Sequence, residues 1–129
     1  MSVGIVIVTH GETGATLLDV AAFILGESLD EVRFVPFRQS GDQHTSAAEV
    51  RDAISAADAG DGVLVLTDLI GASPSNLVAE HLEAHDGVMV TGLNLPMLIS
   101  VWNYRSQPLG LLVRKAVESG RRGIKIFQE

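Results

Sequence analysis

The sequence predicts an α/β fold: an open, mainly parallel, doubly wound sheet with helices on both faces. Short runs of Val, Ile and Leu alternate with segments of helical spacing along the whole chain, and such alternation is typical of parallel sheets. The first and third runs are almost wholly apolar, as expected of central strands that are buried on both faces. Because crossovers are right-handed, the strand order 2-1-3-4 is favoured for a small chain of this kind.

Four strands are predicted from the apolar runs, which are residues 3–9 (VGIVIVT), 32–37 (VRFVPF), 63–68 (VLVLTD) and 88–94 (VMVTGLN). A last run, residues 123–128 (GIKIFQ), alternates between apolar and polar side chains. Alternation of this kind is typical of a strand with one face in solvent. We therefore expect the chain to end in an edge strand.

The first two helices are predicted from apolar spacing and capping residues. Ser46 and Glu49 form a Ser-x-x-Glu capping box, which opens a helix between the second and third strands. The helix after the first strand has apolar residues every three or four positions, and Gly26 can end it. These apolar residues are Leu17, Leu18, Ala21, Ala22 and Leu25.

The other three helices lie in the second half of the chain. Ser73 and Pro74 are typical of an N-cap and a first helical position, and the apolar spacing continues that helix through Leu82. Residues 95–104 and 109–119 also have helical spacing. With the four strands, these helices complete an alternating pattern.

Composition restricts the possible functions. Sixteen acidic and nine basic side chains give a formal net charge of −7, which argues against a nucleic-acid partner, because such partners require a positive surface. The sequence contains no cysteine, which excludes disulfides, thiolate metal sites and cysteine nucleophiles.

Localisation and domain number are also predicted from the sequence. It shows neither a signal peptide nor an apolar run near the roughly 18 residues of a membrane span, so we expect a cytoplasmic protein with no direct membrane insertion. The length of 129 residues without a linker or repeat predicts one domain over residues 1–129.

A histidine and an aspartate are predicted to meet at one edge of the sheet. In the order 2-1-3-4, strands one and three are neighbours and mark the switch point, where such sheets bind ligands beyond the carboxyl ends of their strands. His10 follows the first strand and Asp68 ends the third. If Asp68 accepts a hydrogen bond from the N–H at Nδ1 of His10, Nε2 keeps a free lone pair and the ring becomes a nucleophile.

Backbone amides beside this pair are candidates for holding an anion. The amides of residues 71–75, at the start of the third helix, and of residues 11–14, before the first helix, are expected to be open. Open N–H groups at helix starts bind anions, so a phosphoryl group fits this edge. A purely structural interpretation also exists for each residue type: a hydrogen-bonded strand-end histidine, a turn-capping aspartate, a helix-capping serine and turn-forming glycines.

The other three histidines are not expected to bind metal. His81 and His85 are four residues apart on a predicted helix, but the acid of His-Leu-Glu-Ala-His does not occupy the zinc-protease position. Solvent-facing side chains are therefore the favoured interpretation of both. His44 lies in a polar loop and is expected to be exposed. We predict neither a metal site nor a cofactor.

Three segments resemble the IIA component of the mannose family (mannose/fructose/sorbose type) of the bacterial phosphoenolpyruvate-dependent sugar phosphotransferase system. They are GIVIVTHG (4–11), GVLVLTDLIGASPSN (62–76) and GLNLPML (92–98), and the resemblance covers essentially the whole chain. It implies a phosphotransferase in which His10 accepts phosphate on Nε2 from the phosphocarrier protein HPr and passes it to a separate IIB protein. It also implies that Asp68 orients His10 and that Ser73 lies close by.

Further expectations follow from this resemblance. Gly11, Gly71, Ala72 and Ser73 are the expected phosphate-binding residues. A homodimer is implied, in which residues 123–128 cross to pair antiparallel with the sheet of the partner. Association with a membrane transporter complex is also implied. The chain departs from the family motif at Ala72, where a second glycine is usual, and at Ile70, where an aromatic residue is usual.

Two alternatives stay open. The phosphotransfer subunit of dihydroxyacetone kinases has a similar fold and histidine, although the LNLPML segment favours the mannose type. A regulatory protein that senses phosphorylation and serves no transporter is the second. Histidine phosphatases are disfavoured, because Thr9 stands where they need an arginine. A response-regulator receiver is disfavoured too, because it needs an acidic pair for magnesium where His10 stands.

Overall fold

The structure, a computed structural model, describes residues 2–38, 47–69, 71 and 73–128. Strands and helices alternate along these residues. In chain order they are β1 (Gly4–His10), α1 (Thr13–Leu25), β2 (Arg33–Phe37), α2 (Ala47–Ala57), β3 (Val63–Thr67), α3 (Ser73–Ala79), a short 3-10 helix (Glu83–His85), β4 (Gly87–Val90), α4 (Leu95–Asn103) and α5 (Leu109–Arg122).

The four strands form one parallel sheet in the order β2-β1-β3-β4. The predicted order 2-1-3-4 is therefore confirmed, and the first and third strands are neighbours. Val8 of β1 lies opposite Thr67 of β3, and His10 lies opposite Phe37 of β2. This register brings residues just beyond the carboxyl ends of β1, β2 and β3 to the same edge of the sheet.

Two apolar layers cover the sheet, one on each face. Ile5 and Ile7 of β1 pack with residues of α1, α4 and α5. Val6 and Val8 point to the other face and pack with residues of α2 and α3. Because successive side chains of a strand point to opposite faces, covering both faces requires a nearly continuous apolar run. Every residue of β3 is buried, as this arrangement demands.

The helices are short compared with a membrane span. The longest one in the described part of the chain, α5, has 14 residues. A helix needs about 20 apolar residues to cross a bilayer. No helix among the described residues is long and apolar enough to do so.

Several element boundaries differ from those expected from sequence. β4 ends at Val90 rather than at residue 94, because Gly92 has a φ of +78°, which an extended strand does not allow. Asn94 instead caps α4, and its side chain accepts a hydrogen bond from the N–H of Met97 at 3.0 Å. α5 continues to Arg122. α3 begins at Ser73 itself, one position earlier than predicted. Ser46 of the predicted capping box lies outside the described residues, so that capping box stays a prediction.

The third helix is shorter than predicted. It ends at Ala79 and does not reach Leu82. The chain turns there, because the carbonyl of Leu82 accepts hydrogen bonds from the N–H groups of His85 and Gly87 at 3.1 and 2.9 Å. The 3-10 helix occupies this turn and leads directly into β4.

The expected final strand is not formed within the single chain. Residues 124–128 are assigned neither strand nor helix. Their three large apolar side chains are almost fully exposed, at 79% for Ile124, 93% for Ile126 and 91% for Phe127. A strand requires a neighbouring strand to satisfy its main-chain N–H and C=O groups, and this segment has none among the described residues of its own chain.

Candidate functional site

His10 and Asp68 are in direct contact at the carboxyl edge of the sheet, 58 residues apart in sequence. Nδ1 of His10 lies 3.0 Å from Oδ2 and 3.2 Å from Oδ1 of Asp68. The main-chain N–H of His10 also donates to Oδ2 at 3.2 Å. The structure thus brings together the two residues that the sequence placed at the switch point.

The last residues of β1 hold His10 in place. The hydroxyl oxygen of Thr9, which is fully buried, accepts a hydrogen bond from the N–H of Gly14 at 2.8 Å, so the end of β1 is tied to the start of α1. The ring of Phe37 contacts the ring of His10 edge-on, with centroids 6.1 Å apart. Phe37 of β2 therefore contacts the imidazole directly, while the hydrogen bond to α1 fixes the end of the strand that carries it.

The arrangement gives His10 one restrained and one available ring nitrogen. A carboxylate is acceptor-only when it is ionised, so in the neutral ring Nδ1–H donates the hydrogen bond to Asp68 and Nε2 keeps its lone pair. Nε2 has no hydrogen-bond partner among the described residues, and the side chain is 48% exposed, compared with 20% for Asp68. This geometry can present a nucleophilic nitrogen to a second molecule while balancing a positive charge on the ring.

The amides before α1 differ from expectation. They were expected to be open over residues 11–14, but the N–H of Gly11 donates to the carbonyl of Phe37 at 3.0 Å and the N–H of Gly14 donates to Thr9. Both hydrogen bonds fasten β1 to its neighbours. The amide of Gly11 is therefore used by the fold, and the contribution of this residue is a turn with a φ of +50°.

The turn before α3 lies close to Asp68 in sequence. Gly71 is exposed and has a φ of +77°, a backbone conformation that favours glycine. A Cβ atom there would meet no atom within 4 Å, so the glycine serves backbone conformation rather than close packing. Ser73 is the first residue of α3. Ala72 and Ile70 lie outside the described residues, and phosphate binding by Gly71, Ala72 and Ser73 stays a prediction.

An ion pair beside His10 was missed by the sequence reasoning. Arg38 follows the last residue of β2, and its Nη2 donates to Oε1 of Glu12, the residue that precedes α1. The side chains are 32% and 60% exposed, respectively. The signal that would have found Arg38 is its place at the carboxyl end of a strand neighbouring β1.

His81 and His85 are not the solvent-facing side chains that the sequence favoured. Nδ1 of His85 lies 2.8 Å from Oδ2 of Asp58, and both side chains are only 22% exposed. Nε2 of His81 is buried without a hydrogen-bond partner among the described residues. That expectation was wrong because α3 ends early and the chain turns back toward the end of α2. His44 lies outside the described residues, and no cluster of metal-ligating side chains occurs among those described.

The Asp58 carboxyl makes the free energy of unfolding depend on pH in the acid range. The N–H of Gly60, which donates to Oδ1 at 2.9 Å, and then the ring of His85 lower the pKa of the Asp58 carboxyl. A lowered pKa in the folded state stabilises the protein above the unfolded-state value of about 4, and this contribution is lost as the pH falls through the folded value. We expect Asp58→Asn to be less stable than wild type at pH 7, with the difference shrinking below about pH 4.

Urea unfolding at pH 7 and pH 3 measures this effect. Asp52→Asn is the matched control, because Asp52 is 72% exposed and forms an ion pair with the adjacent Arg51. A loss of stability in Asp58→Asn that is equal at both pH values would contradict the assignment.

Comparison with known proteins places the chain in a family. The model of the EIIA-man family, described as the PTS system fructose IIA component, matches residues 4–116. The chain is 33% identical over 136 residues to the PTS system mannose-specific EIIAB component of Escherichia coli K12. That alignment covers 99% of this chain and 40% of the relative, so the chain spans less than half the length of the relative.

Solved structures agree with this match. The mannose/sorbose-specific IIA subunit from Enterococcus faecalis superposes with a TM-score of 0.81 at 20% identity, and the match covers 100% of this chain and 97% of that one. The two proteins therefore share the same fold. Phosphotransferase system component EIIA from Streptococcus agalactiae has a TM-score of 0.78 at 28% identity, covering 96% of each chain. With the family model matching most of its length, the chain belongs to the mannose family of IIA components of the phosphoenolpyruvate-dependent sugar phosphotransferase system.

Proposed function

We propose that this protein is a phosphoryl carrier: His10 accepts a phosphoryl group from phospho-HPr and passes it to a IIB protein that serves sugar uptake. The contact between Nδ1 of His10 and the Asp68 carboxylate at 3.0 and 3.2 Å carries the proposal. Membership in the IIA family supports the same chemistry. The transfer takes place in the cytoplasm, and the protein joins a membrane transporter complex through its partners rather than by insertion.

The transfer needs little covalent chemistry from the protein. The P–N bond of the donor phosphohistidine breaks, its electron pair returns to the donor ring, and the lone pair on Nε2 of His10 forms the new P–N bond. The proton on Nδ1 stays in place, so the His10 ring gains positive charge that the Asp68 carboxylate balances. Passing the group to IIB reverses these steps. In-line positioning and charge stabilisation therefore carry the catalysis, and no metal or cofactor is required.

The phosphoryl group is proposed to lie between His10 and the turn that precedes α3. Gly71, Ala72 and Ser73 follow Asp68 closely in sequence, and main-chain N–H groups in a turn before a helix can in general hold phosphate oxygens. Leu69, next to Asp68, is 59% exposed. An exposed apolar side chain on the residue that follows Asp68 suits a surface against which HPr and IIB dock in turn.

The test is phosphoryl transfer with purified components. The protein is incubated with radiolabelled phosphoenolpyruvate, enzyme I and HPr, and the label is mapped by peptide analysis. We expect one acid-labile, base-stable phosphate per chain, located on His10, and its discharge on addition of the IIB protein. Label on His44, His81 or His85, or no label with cognate carriers, would contradict the proposal.

A homodimer formed through the chain end is proposed as the working form. A groove of about 430 Å³ lies beside β4, the strand at the edge of the sheet. Met89 and Val90 of β4 and Val113 and Val117 of α5 contribute to its lining. An antiparallel strand from a second copy would satisfy the free main-chain groups of β4 and cover these apolar side chains. The exposed apolar residues of 124–128 are suited to supply that strand.

Deleting residues 124–129 tests this dimer. We expect light scattering to give twice the 13.7 kDa chain mass for the full chain and the mass of one chain for the shortened form. In an extended segment, alternate residues share a face, so Ile126→Asp should dissociate the dimer. Lys125→Glu, on the opposite face, is the control and should leave it intact. A full-length protein that is monomeric would refute the arrangement.

A further inference from the structure

The ion pair between Glu12 and Arg38 lies at the edge of the sheet that carries His10. The hydrogen bond from the N–H of Gly11 to the carbonyl of Phe37, 3.0 Å long, joins the two segments. Glu12 and Arg38 each come one residue after that bond, and His10 and Phe37 are opposite each other in the sheet register. Arg38 therefore directly follows the strand that neighbours His10, and its guanidinium group is held by Glu12, two residues after His10.

Glu12 precedes α1 but does not cap this helix with its side chain. An acidic residue that precedes a helix can accept hydrogen bonds from the free N–H groups of the first turn. Glu12 occupies that place before α1, yet its side chain makes no capping hydrogen bond. Its carboxylate pairs with Arg38 instead. The helix start does not explain this ion pair.

Phosphorylation changes the charge balance at this edge. A phosphoryl group adds between one and two negative charges at neutral pH. On His10 it is added to a ring that already contacts the Asp68 carboxylate and that belongs to a residue two positions before Glu12. Guanidinium matches the geometry of phosphate oxygens and binds them in bidentate fashion. Arg38 gains more Coulomb energy from a phosphoryl group than from a single carboxylate at the same distance, because the phosphoryl charge is larger.

We propose that Arg38 is a phosphoryl-binding residue of the transfer site, held by Glu12 in the unphosphorylated state and exchanged onto the phosphoryl group when His10 is phosphorylated. This inference rests on the proposed function of His10. It assigns opposite roles to the two partners: Arg38 stabilises the phosphorylated state, and Glu12 competes with it.

The opposite roles predict opposite effects of two substitutions. In single-turnover transfer from phospho-HPr, we expect Arg38→Gln to slow phosphorylation of His10 roughly 5- to 30-fold, because a partly exposed charge-assisted contact lies between an exposed ion pair and a buried hydrogen bond to a charged group in strength. Arg38→Lys, which keeps the charge but not the planar fork, should recover part of that loss. Glu12→Gln, which removes the competing carboxylate, should speed the reaction about 2- to 5-fold.

Matched controls separate a local effect from net charge. Arg51→Gln and Asp52→Asn make the same charge changes on an exposed pair of α2, and both should stay close to wild type. A second readout needs no variant: the side-chain NMR signal of Arg38 should shift when the wild-type protein is phosphorylated, while that of Arg51 should not.

These measurements distinguish a phosphoryl-binding role of Arg38 from a purely structural ion pair. If Arg38→Gln and Glu12→Gln slow the reaction equally, the pair is only a tie between β2 and α1, and the inference is wrong. It is also wrong if Arg38→Gln matches Arg51→Gln or if the Arg38 signal does not move. If any of these results is found while the wild-type protein is still labelled on His10, the carrier function is retained and only the role of Arg38 is refuted. If the wild-type protein is not labelled at all, the carrier function itself is refuted.

Discussion

Phosphoryl acceptance is expected to fall to background in His10→Gln. The amide of glutamine has no nucleophilic ring nitrogen, so no P–N bond can form at this position. Its volume is similar to that of histidine, and the side chain it replaces is 48% exposed. The substitution also removes the contact with the Asp68 carboxylate, and an exposed pair of this kind contributes about 1 kcal/mol or less to stability. Loss of labelling would then reflect chemistry rather than unfolding.

Radiolabel incorporation and circular dichroism together check this prediction. His85→Gln is the control, because His85 also pairs its Nδ1 with a carboxylate, at 2.8 Å, but at the end of α2 rather than at the end of β1. We expect His85→Gln to keep one phosphate per chain. Stoichiometric, acid-labile label in His10→Gln would show that another residue is the acceptor.

Asp68→Asn is expected to slow phosphorylation by about 10²- to 10⁴-fold, the scale seen when the residue that orients a catalytic histidine loses its charge. An asparagine side chain can still lie beside Nδ1. It cannot balance the positive charge that the ring gains when Nε2 forms its bond to phosphorus, and its NH₂ group can hold the ring in the wrong tautomer. The rate should fall without a change in the labelled residue.

Rapid-quench measurements at saturating phospho-HPr separate this rate from partner binding. Asp61→Asn is the matched control, because it makes the same change in net charge at an exposed position before β3. We expect Asp61→Asn to react at the wild-type rate. An Asp68→Asn rate within threefold of wild type would mean that the carboxylate does not assist the transfer.

The architecture was accessible from the sequence because it depends on short-range patterns. Continuous apolar runs mark the strands covered on both faces, and Gly26 ends α1 in a left-handed conformation with a φ of 69°, as the sequence predicted. Once β1 and β3 are neighbours, parallel strand direction brings their carboxyl ends together. The contact between His10 and Asp68 follows from that topology, although the two residues are 58 positions apart in sequence and no local pattern indicates it.

Other features depended on interactions between distant segments. The turn at Leu82 cannot be read from helical spacing, because α3 could continue through it by local propensity alone. Where that turn directs the chain decides whether His85 faces solvent or Asp58. The alternation of residues 124–128 indicates a strand, but a strand exists only where another strand accepts its hydrogen bonds.

The sequence alone therefore determined the strands, the helices and the two layers, because periodicity is a local property. The strand order and the two residues at the switch point followed from general rules for parallel sheets, such as right-handed crossovers, rather than from a local signal. Only the tertiary structure decided that the amides of Gly11 and Gly14 are occupied and that Arg38 pairs with Glu12. Hydrogen bonds and ion pairs between elements depend on distances of a few ångströms, and the packing of helices against the sheet sets these distances.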